Sequence, residues 1–244
     1  MDPNLNKLLK WGIEHSAAPA TDSSTAVGAT ITTPTNADND PSTSIGPVPP
    51  ASTRSQLNPE LLASLFGGPS EADLMKAAVE LITDTTDPDI TLDAKLIAFD
   101  NLEQLIESLD NANNLENLAL WSPLLSMLSH AEPELRKMAA WCVGTAVQNN
   151  VKTQERLLAM GGIPQLVDRV LAADEAEPVR RKAVYALSSA VRNYQPAMDV
   201  AQQELARRGH GARVGADKVD ATNMEAIDEI IDWLRDMCKS GVKP

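Results

Sequence analysis

The run Pro133-Glu-Leu-Arg-Lys-Met-Ala-Ala-Trp-Cys-Val-Gly-Thr-Ala-Val-Gln-Asn-Asn150 decides the fold. Within it Leu135, Met138, Ala139, Cys142, Val143, Ala146 and Val147 recur at helical spacing, the mark of an amphipathic helix with a broad apolar face. Pro133 suits a first helical turn, where its missing N–H is no loss. Asn149-Asn150 suits a helix end, because Asn tolerates left-handed backbone. The helix then returns. Arg136, Ala139, Trp141, Ala146, Val147 and Asn149 reappear 44 positions later as Arg180, Ala183, Tyr185, Ala190, Val191 and Asn193. A looser copy lies upstream, where Lys95, Ala98, Phe99 and Leu105 stand 42 positions before Lys137, Ala140, Trp141 and Val147.

Helical self-similarity at roughly 40–47 residues is the period of armadillo and HEAT solenoids. The sequence therefore predicts an all-α, armadillo-like right-handed superhelical solenoid with a disordered N-terminal arm. Each unit carries the same punctuation. Trp121-Ser122-Pro123 predicts a helix with Ser122 as cap and Pro123 in its first turn, and Gly161-Gly162 predicts a break before a helix led in by Pro164. Short helix, glycine turn, helix and long helix is the three-helix armadillo order.

The flanks divide the chain into 1–16, an apolar segment with two lysines; 17–56, a linker; 57–200, the solenoid; and 201–244, a loop and a capping helix. Residues 17–56 hold no Leu, Met, Phe, Tyr or Trp and cannot bury enough apolar surface to offset their ordering entropy, so disorder is expected there. A short helix is expected over Leu57–Phe66. Ser70 and Asp73 form a capping-box pattern, Thr91 to Leu109 reads as a longer helix, and Asp110-Asn-Ala-Asn-Asn114 reads as a polar loop. Near the end, Thr222 and Glu225 form a second capping-box pattern. Met224, Ile227, Ile231, Leu234 and Cys238 follow along one helical face, as a terminal solenoid cap requires.

Composition narrows the function. With 34 acidic against 21 basic residues and a net charge of −13, the chain lacks the basic face that phosphate backbones need, so a protein partner and no nucleic acid is expected. Two cysteines in no CxxC or His-paired spacing predict a reducing compartment without a disulfide framework or metal site. No run of 18 apolar residues occurs, so neither membrane contact nor secretion is expected, and the location expected is the cytosol or nucleus. His15, His130 and His210 accompany no nucleophile motif, and the glycine pairs lack the Lys-Ser/Thr of a phosphate loop. No enzyme, no cofactor and a monomer are expected. Asp87 and Asp89 read as solvated loop charge. The Arg207 to Arg213 cluster reads as a soluble loop or a contact for an acidic partner.

Three stretches carry a family likeness: Lys95-Leu-Ile-Ala-Phe-Asp-Asn-Leu-Glu-Gln-Leu-Ile-Glu-Ser-Leu-Asp-Asn-Ala-Asn-Asn114, Met138 to Asn150, and Arg180-Arg-Lys-Ala-Val-Tyr-Ala-Leu-Ser-Ser-Ala-Val-Arg-Asn193. With the opening Met-Asp-Pro-Asn-Leu-Asn-Lys-Leu-Leu-Lys-Trp11 and Phe66-Gly-Gly-Pro-Ser70, they resemble the fungal cytosolic armadillo-type nucleotide exchange factors of the seventy-kilodalton heat-shock chaperone. The resemblance implies that the concave surface clasps one lobe of the chaperone's nucleotide-binding domain so that ADP leaves and ATP enters. It also implies that the arm occupies the chaperone's substrate groove and aids release. Leu5, Leu8, Leu9 and Trp11 between Lys7 and Lys10 have the make-up of such a substrate, an apolar core with basic neighbours. The same residues could instead form a helix docked on the solenoid end.

In armadillo repeats the long third helix lines the concave face. This implies Lys137, Trp141 and Thr145, then Arg181, Tyr185 and Ser189, with Lys95 and Phe99 upstream, as partner-binding residues. Trp141 and Tyr185 could equally be core aromatics. An armadillo adaptor for another protein is the alternative function, although Thr145 and Ser189 stand where importin-type peptide binders place Asn.

Overall fold

The computed structural model describes residues 68–215 and 217–240. The arm residues Leu5, Lys7, Leu8, Leu9, Lys10 and Trp11, the linker and the expected Leu57–Phe66 helix lie outside these residues. Every regular element described is helical.

Helix α1, Glu71–Thr83, starts as its sequence requires. The Ser70 hydroxyl accepts from the Asp73 N–H at 3.2 Å and donates to the Asp73 carboxylate at 2.7 Å. Helix α2, Leu92–Ile106, is capped by Thr91, whose hydroxyl accepts from the Ala94 N–H. Between them, Asp87 accepts from the Asp89 N–H, so that carboxylate pair serves as loop charge.

The expected loop over 110–114 is instead inside helix α3, Leu109–Asn117. Three Asn in five residues read as a break, but Asn111, Ala112 and Leu115 fall on one buried face. The Asn111 amide donates to the Glu71 carboxylate at 2.8 Å and to the Leu105 carbonyl at 2.9 Å, so burial leaves it paired. Helix α4, Trp121–Ser126, begins earlier than Ser122 and runs into a 3-10 turn over Met127–Ser129. Trp121, at its first position, is buried in the core.

The two long repeat helices are α5, Pro133–Val147, and α8, Glu177–Val191, each 15 residues long and each with proline in the first turn. Both end the same way, with Asn149 at φ 53° and Asn193 at φ 56°. Left-handed backbone there turns the chain into the short helix that follows. Between them lie α6, Val151–Ala159, and α7, Gly162–Leu171, separated by Gly161 at φ 70°. Short helix, glycine break, helix and long helix is the order the sequence predicted.

The equivalent arginines of the two units pin the preceding helix ends. Arg136 donates to the His130 and Ala131 carbonyls, each at 2.6 Å, and grips Glu175 with two bonds of 2.7 Å. Arg180, 2% exposed, donates to the Val170 and Met237 carbonyls, each at 2.9 Å.

Helix α9, Gln195–Leu205, runs past the boundary expected at 200 and meets a π turn over Ala206–His210 and the short α10, Gly211–Val214. Gln195 and Gln202, two turns apart on α9, stitch the following loop to it. Gln202 donates to the Val214 and Asp217 carbonyls and accepts from the Val219 N–H, while Gln195 accepts from the Ala221 N–H. Helix α11, Met224–Ser240, is capped by Asn223, whose side chain accepts from the Ala226 N–H. Thr222, the expected cap, donates to Asp220 instead. Ile227, Ile231, Leu234 and Cys238 are buried as predicted.

The long helices pack side by side in the order α2, α5, α8, α11, and the shorter helices back them. One continuous core runs from Met75 to Cys238. This is an armadillo-like helical solenoid.

Candidate functional site

The open side of the long-helix layer carries a groove made of two hollows that share Tyr185. One is lined by Glu103 of α2 and Glu107 just beyond its end, by Trp141 and Thr145 of α5, and by Gln148 and Asn149 beyond that helix. The other is lined by Lys137 of α5, by Arg181 and Lys182 of α8, and by Arg235 and Lys239 of α11.

The spacing of four along α5 brings Lys137, Trp141 and Thr145 to one half-buried strip, as expected from the sequence. The Thr145 hydroxyl donates to the Glu103 carboxylate at 2.7 Å, tying α5 to α2. One repeat on, Tyr185 lies half-buried with its hydroxyl 3.2 Å from the Gln148 side-chain oxygen. Arg181 is exposed at the rim, where Glu177 lies 3.8 Å away. Ser189 shares their helix face but lines neither hollow, and its carbonyl accepts from Gln154 at 2.9 Å.

Trp141 and Tyr185 are neither free aromatics nor core. The Tyr185 ring lies so close over α5 that a Cβ on Gly144 would stand 2.5 Å from it and 3.0 Å from the Ala186 Cα. Only glycine allows this approach. The Lys182 ammonium sits 3.6 Å from the centre of the Trp141 ring and 5.6 Å from that of Tyr185. Burial pushes the Lys182 pKa below the usual lysine range. The Glu103 carboxylate opposes that shift and the charge of Lys137 adds to it.

The two α2 positions fall elsewhere. Phe99 is 0% exposed and lies under α5, where the Cys142 thiol points at its carbonyl from 3.7 Å. It is a core residue and offers no surface to a partner. The upstream copy matches α5 only loosely, and a one-residue slip in register rotates a side chain by about 100°, enough to turn an outward position inward. Lys95 donates to the Asp84 carbonyl at 2.5 Å and so closes the end of α1 rather than lining the groove. Glu103 and Glu107, the latter at the C-cap of α2, supply the groove wall in their place.

Sequence reasoning passed over Lys182, although it lies one turn before Tyr185 in the basic run Arg180-Arg181-Lys182. It also read α11 only as a cap, so the outward Arg235 and Lys239 were not connected with the groove. Among the described residues no group of His, Cys, Asp and Glu could hold a metal ion, and no helix is long and apolar enough to cross a membrane. Burial pushes the Cys142 thiol well up, which keeps it protonated and unreactive.

Stacked helices presenting an aromatic-floored, charge-walled groove define an armadillo-type binding scaffold. Two family models together span residues 5–240: that described as nucleotide exchange factor Fes1 matches residues 5–115, and that described as the SIL1/FES1/HPBP1 C-terminal domain matches residues 111–240. The chain belongs to the Fes1 family. A Gibberella zeae protein named Hsp70 nucleotide exchange factor FES1 is 59% identical over 235 residues, covering 96% of this chain and 97% of that protein. The Neurospora crassa protein of the same description is also 59% identical, over 99% of this chain and 100% of its own length. A Coccidioides immitis counterpart is 44% identical over 97% and 99%.

Proposed function

We propose that this chain is a nucleotide exchange factor for a cytosolic Hsp70 chaperone. Its groove clasps one lobe of the chaperone's nucleotide-binding domain in a form that holds ADP poorly, so that ADP leaves and ATP enters. The reading is carried by the likeness along the whole chain to proteins named for that activity. The half-buried Trp141 and Tyr185 give the groove the rigid aromatic anchors on which binding energy concentrates. The chemistry needed is only differential affinity. A partner that binds the open lobe more tightly than the closed one weakens nucleotide binding by the same factor, because coupling between two sites is reciprocal. No nucleotide contact by this chain is required.

The arm serves a second step. Leu5, Leu8, Leu9 and Trp11, flanked by Lys7 and Lys10, occupy the substrate-binding domain and hinder rebinding of the released polypeptide. A flexible linker the length of residues 17–56 has a reach of about 35 Å. Tethering at that range gives an effective concentration near ~1 mM, so a weak mimic competes locally. Stopped-flow release of a fluorescent ADP analogue from Hsp70 tests the main claim. Acceleration that rises with the concentration of this protein is expected, and none at micromolar concentration overturns it.

A further inference from the structure

We propose that the α11 end of the groove is a docking place for a short acidic polypeptide segment of a protein partner. The chain carries a net charge of −13, yet Lys137, Arg181, Lys182, Arg235 and Lys239 converge on one hollow of about 680 Å³. Glu177 is its single carboxylate lining residue. Among the described residues its ion-pair partner is Arg181, at 3.8 Å, with both side chains about half exposed or more.

The other ion pairs at this end are easily exchanged. Asp232 meets Arg235 at 2.7 Å and Asp236 meets Lys239 at 3.0 Å, each about one turn apart along α11 with all four side chains at least half exposed. Such pairs hold their geometry weakly against solvent and salt. Lys137 makes no ion pair among the described residues, and its charge acts directly on Lys182. Like charges gathered in a partly desolvated hollow repel, and a carboxylate brought by a partner relieves that repulsion.

The shape and surroundings narrow the occupant. The hollow far exceeds a phosphate ion, and Tyr185 and Pro178 give it an apolar lining that suits side-chain methylenes. An extended polyanion such as nucleic acid is disfavoured, because the adjoining hollow is walled by Glu103 and Glu107. A segment acidic at one end and neutral or basic at the other fits the groove in one direction only. Where the exchange-factor reading holds, that segment lies on the clasped lobe of the nucleotide-binding domain, and the charge gradient sets the orientation of the clasp.

The probe is a fluorescein-labelled octaglutamate peptide, titrated with the full chain and read by anisotropy. Saturable binding at low ionic strength is expected, weakening as salt rises. R235E/K239E should weaken it by at least about tenfold, with R235A/K239A between the two. Both positions are exposed, and thermal unfolding checks that the variants remain folded. Absence of saturable binding to the wild-type chain overturns the proposal, as does binding to R235E/K239E within about twofold of wild type. The ADP-release assay separates this from the functional reading. A wild-type chain that binds the peptide without speeding ADP release removes the exchange reading alone, whereas one that speeds release without binding the peptide removes the docking site alone.

Discussion

The Lys182 ammonium stands 3.6 Å from the centre of the Trp141 ring, so the floor of the groove is a cation seated on an aromatic face and bridging α8 to α5. A pair of this kind contributes about 0.5–2 kcal/mol, more as it loses solvent. Trp141 is half-buried because one ring face is covered by this cation and packs into the fold while the rest of the ring stays open to the groove.

Trp141→Ala should therefore cost about 1–2 kcal/mol of stability, below the ~3–5 kcal/mol of a fully buried aromatic. Affinity for the Hsp70 nucleotide-binding domain should fall by ~2 kcal/mol or more. Chemical denaturation and titration calorimetry measure the two. A large loss of stability with affinity intact would make Trp141 purely a core residue.

Gly144→Ala should destabilise by about 1–3 kcal/mol, against the ~1 kcal/mol that alanine normally gains over glycine inside a helix. The added methyl meets the Tyr185 ring and the Ala186 backbone. Truncating the ring in a Gly144→Ala/Tyr185→Ala double variant should recover part of that loss, so the two changes should be non-additive in a mutant cycle. Simple additivity would place the strain elsewhere.

Glu175 is a buried source of acid sensitivity. Its side chain is 1% exposed, and burial alone would raise its pKa, but two hydrogen bonds from Arg136 and one from the Ala176 N–H hold it below the usual carboxylate range. A folded-state pKa lower than the unfolded one contributes stability that is full above the unfolded pKa and is lost as pH falls through the folded one. Glu175→Gln should cost about 2–4 kcal/mol at neutral pH. The gap between variant and wild type should then close in acid below the ordinary glutamate range. Urea midpoints taken across the acid range give the curve, and a gap independent of pH would refute the assignment.

Arg180 spends its charge on carbonyls of α7 and α11. Arg180→Lys, with one ammonium in place of a fork, should cost about 2 kcal/mol and loosen α11 first. Amide hydrogen exchange should quicken over 224–240 before the rest of the molecule. Uniform loss of protection would mean that the arginine holds the whole stack.

Deleting residues 1–16 should leave ADP release unchanged while slowing the displacement of a persistent peptide from the chaperone. Equal peptide release with and without the arm would remove substrate mimicry.

Periodicity made the long helices legible. Apolar spacing and Pro133 marked α5, and the recurrence of its pattern 44 positions on, with Asn149 and Asn193 as the stops, marked α8, because each signal is local to the backbone it governs. The Asn-rich α3 was not legible, since Asn111 becomes acceptable in a helix only when Glu71, forty residues away, accepts from its amide. Phe99 failed for a related reason. Its copy of the repeat was imperfect, and which face it shows depends on packing against Cys142. Half of the groove was readable from spacing along α5 and α8. The other half comes from Glu103 and from α11, which only tertiary contact brings beside them.

Asn149 and Asn193 close their helices with the same left-handed residue, 44 positions apart. Each long helix is therefore closed by the same backbone turn, a joint that repeats with the unit. Excising or duplicating one such block between these asparagines should preserve the joints on either side. The length of the stack would then change in whole steps, one unit at a time.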